Sequence, residues 1–275
     1  MARYVTVDGV RTWYDERGDG EPLVLLHGGL TDSRDFTGNL DALADRFRLL
    51  LPERRGHGHT PDTPGPVTLE LMARDTIAFL ESGEHSRSRS VAEASTPNAS
   101  VAGSRGVRLV GYSAGAMVAL LVAVRRPDLV SRLVLISGAF DPAGMILLPV
   151  AGGEPPAPLV AAYAEVSPDG AGHFPAVIAK AASAAQEPGL SPADLGTVAC
   201  RTLVIAGDDD IVTLEHTVAL YRGLPDAELA IVPAASHLLL RERPALCTAM
   251  VADFLTGDRP STMMPMRRAG FGAGG

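Results

Sequence analysis

Six short runs that are almost wholly apolar constrain this chain more than anything else in it: "PLVLLHGG" (22–29), "FRLLLPE" (47–53), "VRLVGY" (107–112), "RLVLIS" (132–137), "RTLVIAG" (201–207) and "AELAIVP" (227–233). A strand with one face in water alternates apolar and polar residues, whereas a strand that is apolar throughout is covered on both faces. Most of the intervening segments carry helical spacing. "TDSRDFTGNLDALADRF" places Phe36, Leu40, Leu43 and Phe47 on one stripe, and 67–81 reads as a helix with Thr68 as its N-cap. The apolar stretch after Ser113, "TLEHTVALYRGL" and "ERPALCTAMVADFL" are helical in the same way. Strands alternating with helices in this manner indicate an α/β fold, a mostly parallel sheet with helices on both faces. The N-terminus adds two short strands around a turn at Asp8-Gly9, expected as antiparallel partners at one edge.

Three segments break the rhythm. Residues 82–106, "SGEHSRSRSVAEASTPNASVAGSRG", are rich in serine, alanine and arginine without a period, and are expected to form a mobile surface insertion. Residues 141–197 begin proline-rich and become helical in "FPAVIAKAASAA" and "SPADLGTV"; they read as a helical lid inserted between two sheet strands. The tail from Thr256 has no period and is expected to fray. The domain reading is therefore a core of 1–140 and 198–255, a lid of 141–197 and a tail of 256–275.

Charge and cysteine content narrow the partners. A net charge of −8 leaves no basic face for nucleic acid or an anionic membrane. No apolar stretch reaches the length of a membrane span, and the first residues have no signal architecture, so a cytoplasmic protein is expected. Cys200 and Cys247 are too few for a disulfide framework and read as buried, reduced thiols. The oligomeric state is not written in the sequence.

One pentapeptide then carries chemistry. Gly111-Tyr112-Ser113-Ala114-Gly115 lies where a strand meets a helix, the context of a nucleophile elbow. The serine must sit on a strained turn, and side chains two positions either side would meet the neighbouring strand and helix; glycine removes them. A serine hydroxyl needs a base. Of seven histidines, His85 falls in the insertion, His57 and His59 in a turn, His173 in the lid and His216 within a helix, while His27 braces the glycine loop after its strand. His237, in the loop after the last strand, stands at the edge where functional groups of such sheets gather. The orienting carboxylate comes from "GDDD"; spacing alone does not separate Asp208, Asp209 and Asp210.

With "HGG", "RRGHGHT", "GYSAG" and "GDDD…SH" in that order, the chain from Tyr4 to Leu255 resembles the α/β-hydrolase superfamily. Within it the likeness is to lidded serine hydrolases: carboxylesterases, meta-cleavage-product hydrolases and cofactor-free haloperoxidases. The resemblance implies Asp210 as the acid, with Asp208 as a fallback, and the backbone N–H groups of Gly29 and Ala114 as the oxyanion hole. It implies a structural role for the "RRGHGHT" turn, leaving Arg55 without a catalytic part. The insertion at 82–106 is longer than the family's usual link, and the lid carries no substrate signature.

The activity expected is acyl transfer through Ser113, His237 and Asp210 on a small-molecule ester or lactone, with no cofactor and no metal. Lid residues Val160, Tyr163, Phe174, Val177 and Ile178, without an arginine cluster, point to a neutral, mostly apolar substrate. Leu30, Tyr112 and Leu238, beside the motif residues, join Tyr163 and Phe174 as candidate pocket residues. Perhydrolysis and C–C bond hydrolysis on the same three side chains are the alternatives, followed by a non-catalytic ligand-binding relative.

Overall fold

The structure is a computed structural model that describes residues 2–83 and 106–265. The two N-terminal segments and the six apolar runs become strands, giving β1 (Arg3–Val7), β2 (Val10–Arg17), β3 (Glu21–Leu26), β4 (Phe47–Pro52), β5 (Val107–Tyr112), β6 (Val130–Ile136), β7 (Arg201–Asp209) and β8 (Ala227–Ser236). They form one sheet in the order β1-β2-β4-β3-β5-β6-β7-β8. From β4 to β8 every neighbouring pair is parallel, and β1 and β2 join antiparallel at the edge. The β1–β2 turn is tight because Asp8 and Gly9 both take positive φ, 46° and 79°, as a right-twisted hairpin requires.

The two faces of β3 show why its sequence is apolar throughout. Val24 and Leu26 enter the core on one side and Leu23 and Leu25 the core on the other, all essentially inaccessible. Each such side chain contributes roughly 1.5–3 kcal/mol of burial. The first face is covered by α1 (Leu69–Glu81) and α2 (Ala114–Arg125), and the second by α8 (Pro244–Thr256) and the 31–47 segment. Thr68 caps α1, its hydroxyl accepting from the N–H of Leu71 at 2.9 Å.

The single helix expected over 31–47 is instead two 3-10 turns, Ser33–Phe36 and Leu40–Asp45. Gly38 interrupts it at φ 79°, and Asn39 caps the second turn through its side chain. Phe36, Leu40, Leu43 and Phe47 nevertheless all reach the core.

Between β6 and β7 lie α3 (Ala157–Val166), α4 (Phe174–Ala184) and the one-turn α5 (Pro192–Leu195). The proline-rich start of this segment therefore also yields a helix, with Pro158 in its first turn, where a missing N–H does no harm. Polar contacts pin these helices to the core. Arg34 donates to the carbonyl of Ala162 and to Glu165, both at 2.6 Å, and Lys180 meets Asp62 at 2.6 Å. After β7 come α6 (Leu214–Gly223) and, after β8, the one-turn α7 (Leu239–Glu242).

The fraying expected from Thr256 does not begin there. Arg132 and Arg201 donate to the Gly257 carbonyl, and Arg259 pairs with Glu228 and Asp226. Most of the 82–106 insertion and the end of the tail lie outside the described residues. Among the described residues no helix is long and apolar enough to cross a membrane. Cys200 and Cys247 are free and buried, and burial pushes both thiols up to about 11.

Candidate active site

β5 ends at Tyr112 and α2 begins at Ala114, so Ser113 makes the turn between them alone, at φ 55° and ψ −121°. A positive φ in a non-glycine residue of this kind stores about 1–3 kcal/mol. The turn is held by the Ser113 N–H donating to the Ile136 carbonyl at 2.8 Å. The flanking glycines leave no room for anything larger. A Cβ on Gly111 would lie 2.3 Å from the Gly115 carbonyl oxygen, and one on Gly115 would lie 2.1 Å from that of Leu26.

The ends of β7 and β8 bring two more side chains to the serine. His237 Nε2 lies 2.9 Å from Ser113 Oγ, and His237 Nδ1 lies 2.7 Å from Asp210 Oδ1. An ionised carboxylate only accepts, so the Nδ1 proton sits between His237 and Asp210, and Nε2 is left to accept from the serine. Burial pushes the Asp210 carboxyl up. Hydrogen bonds from His237 and from Ser137 Oγ, the latter at 2.5 Å, outweigh it and hold the group below the usual carboxylate range. The neighbouring acids are used otherwise. Asp208 accepts from the N–H groups of Ala234 and Ala235, each at 3.0 Å, and Asp209 is exposed.

Gly29 follows β3 and faces Ala114 across the serine: a Cβ on Gly29 would lie 3.4 Å from Ala114 Cβ. Both residues line the same cavity as Ser113 and His237. The cavity measures about 570 Å³, within the range of small-molecule sites. Its apolar wall includes Val67, Met72, Met117, Leu159, Val177 and Ile178, drawn from the core and the lid helices.

Charged groups line it too, although the lid sequence offers no arginine cluster. Arg54, Arg55, Asp62 and Lys180 all reach the wall. Arg55 is paired with Asp75 at 2.7 Å, and Lys180 with Asp62. Among the described residues, no three or more His, Cys, Asp or Glu side chains are grouped as metal ligands would be.

Of the five expected pocket residues, Leu30 lines the cavity and four do not. Tyr163 and Phe174 stack on each other with ring centres 4.6 Å apart and form the lid's own small core. Val160 packs against that core as well. Tyr112 joins the core on the α8 face of the sheet, stacks on the His237 ring and donates to the His237 carbonyl at 2.8 Å. Leu238 is half-exposed at the start of α7.

The remaining described histidines have other partners. His59 stacks on Trp13 and meets Glu53, His173 meets Asp62, and His216 accepts from the Phe140 N–H. His57 is buried, and burial pushes its pKa down to about 4.

Two supporting side chains escape the sequence reading. Ser137 bonds Asp210; its only signal is a polar residue closing an apolar strand at the functional edge. Glu242 accepts from both the N–H and the hydroxyl of Ser236, fixing the residue before His237.

A family model described as the alpha/beta hydrolase family matches residues 23–249. The chain is 27% identical to a provisionally named carbamate hydrolase, RutD, of Caulobacter sp. (strain K31), over 92% of this chain and 98% of that protein. It is 30% identical to the sn-1-specific diacylglycerol lipase ABHD11 of Danio rerio over 45% of this chain, a match spanning 33% of that relative. Among solved structures, the enol-lactonase from Burkholderia xenovorans LB400 superposes with a TM-score of 0.72 at 23% identity, covering 93% of this chain and 100% of that one. The CarC serine hydrolase involved in carbazole degradation does so with 0.72 at 24% identity, covering 93% and 98%. At these identities the structural likeness shows the fold alone.

Proposed function

Because the chain belongs to the alpha/beta hydrolase family, we propose that it is a cytoplasmic serine hydrolase of neutral, mostly apolar small-molecule esters or lactones. One observation carries the reading: a serine on a strained turn is hydrogen-bonded to His237 at 2.9 Å, and His237 to Asp210 at 2.7 Å, beside an apolar cavity.

In the proposed reaction His237 Nε2 takes the Ser113 proton as Oγ attacks the acyl carbon. Asp210 holds the imidazole in the required tautomer and stabilises the imidazolium. The oxyanion lies between the N–H groups of Gly29 and Ala114, where one such donor is worth roughly 3–4 kcal/mol of transition-state stabilisation. The imidazolium returns its proton to the leaving oxygen, the C–O bond breaks, and Ser113 is left acylated. Water, deprotonated by the same histidine, then attacks the acyl carbon and releases the acid.

The neutral-substrate reading draws support from the cavity, whose Arg55 and Lys180 are paired with Asp75 and Asp62 and whose Arg54 guanidinium is engaged by the carbonyls of His27 and Gly28. The relatives' names, a carbamate hydrolase and an enol-lactonase, describe acyl carbons with other leaving groups, so the same machinery would serve them.

The test is a panel of p-nitrophenyl esters from acetate to laurate, with a p-nitrophenyl carbamate and an enol lactone, on wild type and Ser113→Ala. The expected result is turnover of at least one class that vanishes in the variant. Hydrolysis that survives Ser113→Ala would overturn the mechanism.

A further inference from the structure

Two buried ionisable side chains around the loop after β3 have no place in the reaction just described. Arg54 and Asp35 are each almost fully inaccessible, and burying a charge is unfavourable unless something needs it there. Burial pushes the Arg54 guanidinium down to about 10, so it stays cationic at neutral pH. No carboxylate lies within hydrogen-bond reach of it among the described residues. Its hydrogen-bond partners are the main-chain carbonyls of His27 and Gly28, in the loop after β3.

The contacts take that loop peptide by peptide. Arg54 Nη1 donates to the His27 carbonyl at 2.7 Å, and Asp35 Oδ2 accepts from the Gly28 N–H at 2.9 Å. Both ends of the 27–28 peptide are therefore held. Arg54 Nη2 donates to the Gly28 carbonyl at 2.6 Å, and the His27 ring does so through Nδ1 at 2.8 Å. That tautomer is required because a carbonyl only accepts, and it frees His27 Nε2 to accept the Arg54 backbone N–H at 3.2 Å. Asp35 Oδ2 also accepts from Thr31 Oγ1 at 2.5 Å, closing the far side of the loop.

The consequence follows from peptide geometry. No peptide bond here is cis, and in a trans peptide the C=O and N–H point in opposite directions. Fixing the Gly28 carbonyl therefore fixes the direction of the Gly29 N–H. Of the two N–H groups in this pair of peptides, it is the one that donates to none of the loop's braces, and Gly29 lies open to the cavity beside Ala114.

Resting on the serine-hydrolase reading above, we propose that Arg54 and Asp35 are positioning residues for the oxyanion hole: Arg54 holds the Gly28 carbonyl and Asp35 the Gly28 N–H, so that the Gly29 N–H is aimed at the developing oxyanion before substrate arrives. Preorganised donors of this kind act without reorganising during the reaction, which is the source of their effect. The assignment goes to Arg54 and not to its neighbour Arg55, whose guanidinium is engaged with Asp75 and Thr63.

The test pairs Arg54→Met and Arg54→Lys with Asp35→Asn, all assayed on an oxoester and on its thionoester. Sulfur accepts hydrogen bonds weakly, so a working oxyanion hole shows a strong preference for the oxoester. Arg54→Met is expected to lower kcat by roughly 10- to 100-fold, a fraction of a full donor loss, with KM changed less than threefold. The oxoester-to-thionoester ratio should fall by a similar factor. Arg54→Lys keeps the charge but cannot reach both carbonyls, and should lose kcat with little change in Tm. Asp35→Asn weakens the charge-assisted bond from the Gly28 N–H and should lower kcat and the ratio by a smaller factor than Arg54→Met; wild-type values of both would remove Asp35 from the assignment.

A wild-type ratio in both arginine variants, with kcat within twofold, would overturn the assignment. So would a fall in Tm with the ratio unmoved, which marks a merely structural role. Should Arg54→Met fail to fold, Arg54→Lys decides alone. Loss of the serine reading itself shows separately, as wild-type turnover that does not depend on Ser113.

Discussion

Replacing Gly115 by alanine adds one methyl group and tests the elbow where it is tightest. On the present backbone that Cβ would lie 2.1 Å from the Leu26 carbonyl oxygen and 2.5 Å from that of His27, well inside any contact a real Cβ makes. Neither neighbour is a flexible side chain. Leu26 ends β3, which is paired on both sides by β4 and β5, and Gly115 sits in the first turn of α2. Relief therefore needs roughly an ångström of relative motion between a central strand and a helix. Overpacking typically costs 1–3 kcal/mol, and a clash between two backbone segments belongs at about 3 kcal/mol. For a chain of this size that corresponds to a fall in Tm of about 6–12 °C. The same motion displaces His27 and the loop that carries the Gly29 N–H, and misplacement on this scale is worth about 100-fold in kcat. Calorimetry and ester kinetics on Gly115→Ala measure both quantities. Gly172→Ala, where a Cβ meets nothing within 4 Å, should leave both unchanged. A Gly115→Ala protein with Tm within 2 °C of wild type and kcat within threefold (about 0.65 kcal/mol) would refute the steric argument.

Three further outcomes follow from named contacts. Removing the Ser137 hydroxyl takes a hydrogen bond of about 1.5–3 kcal/mol from Asp210 and raises its carboxyl toward the unfolded value of about 3.9; a depressed carboxyl stabilises above the unfolded range and loses that contribution as pH falls through the folded one, so Ser137→Ala should lower Tm at neutral pH while the two profiles of Tm against pH converge on acidification, and a Tm gap equal at every pH would contradict this. Tyr112→Phe loses the 2.8 Å bond to the His237 carbonyl, worth about 1 kcal/mol, and should lower kcat about fivefold with the chain-length preference intact; a changed preference would return Tyr112 to the pocket. Ile178→Trp fills part of the cavity wall and should reduce kcat/KM for long-chain esters while sparing acetate, and equal losses across the series would show that the acyl chain lies elsewhere.

The sequence makes the reacting side chains legible because each is a polar residue standing at the end of an apolar run, where a parallel sheet collects such groups. Spacing does not separate Asp210 from Asp208; the family resemblance implies Asp210, and the physical reason lies in three dimensions. The β7–β8 register shifts between Gly207 and Asp209, which turns Asp208 toward the backbone of Ala234 and leaves Asp210 to meet His237. The pocket residues were less legible for a different reason. An aromatic pair in a lid serves the lid's own core as well as it would serve a substrate, and periodicity does not say which face of α4 looks inward. Tyr112 was readable: strand alternation places it with Val110, on the face away from the α1 and α2 core. So was the break at Gly38-Asn39, a turn dipeptide within an otherwise helical pattern. The roles of Arg54 and Asp35 were not, because they depend on which carbonyls a guanidinium reaches across 26 residues of chain.

The central claim is that Ser113 carries the acyl group during turnover. Rapid-quench mass spectrometry of the protein with its best ester, followed by peptide mapping, tests it most directly. The account expects an acyl adduct on the peptide bearing Ser113, absent from Ser113→Ala. An adduct on another residue, or turnover by Ser113→Ala with no adduct, would contradict it.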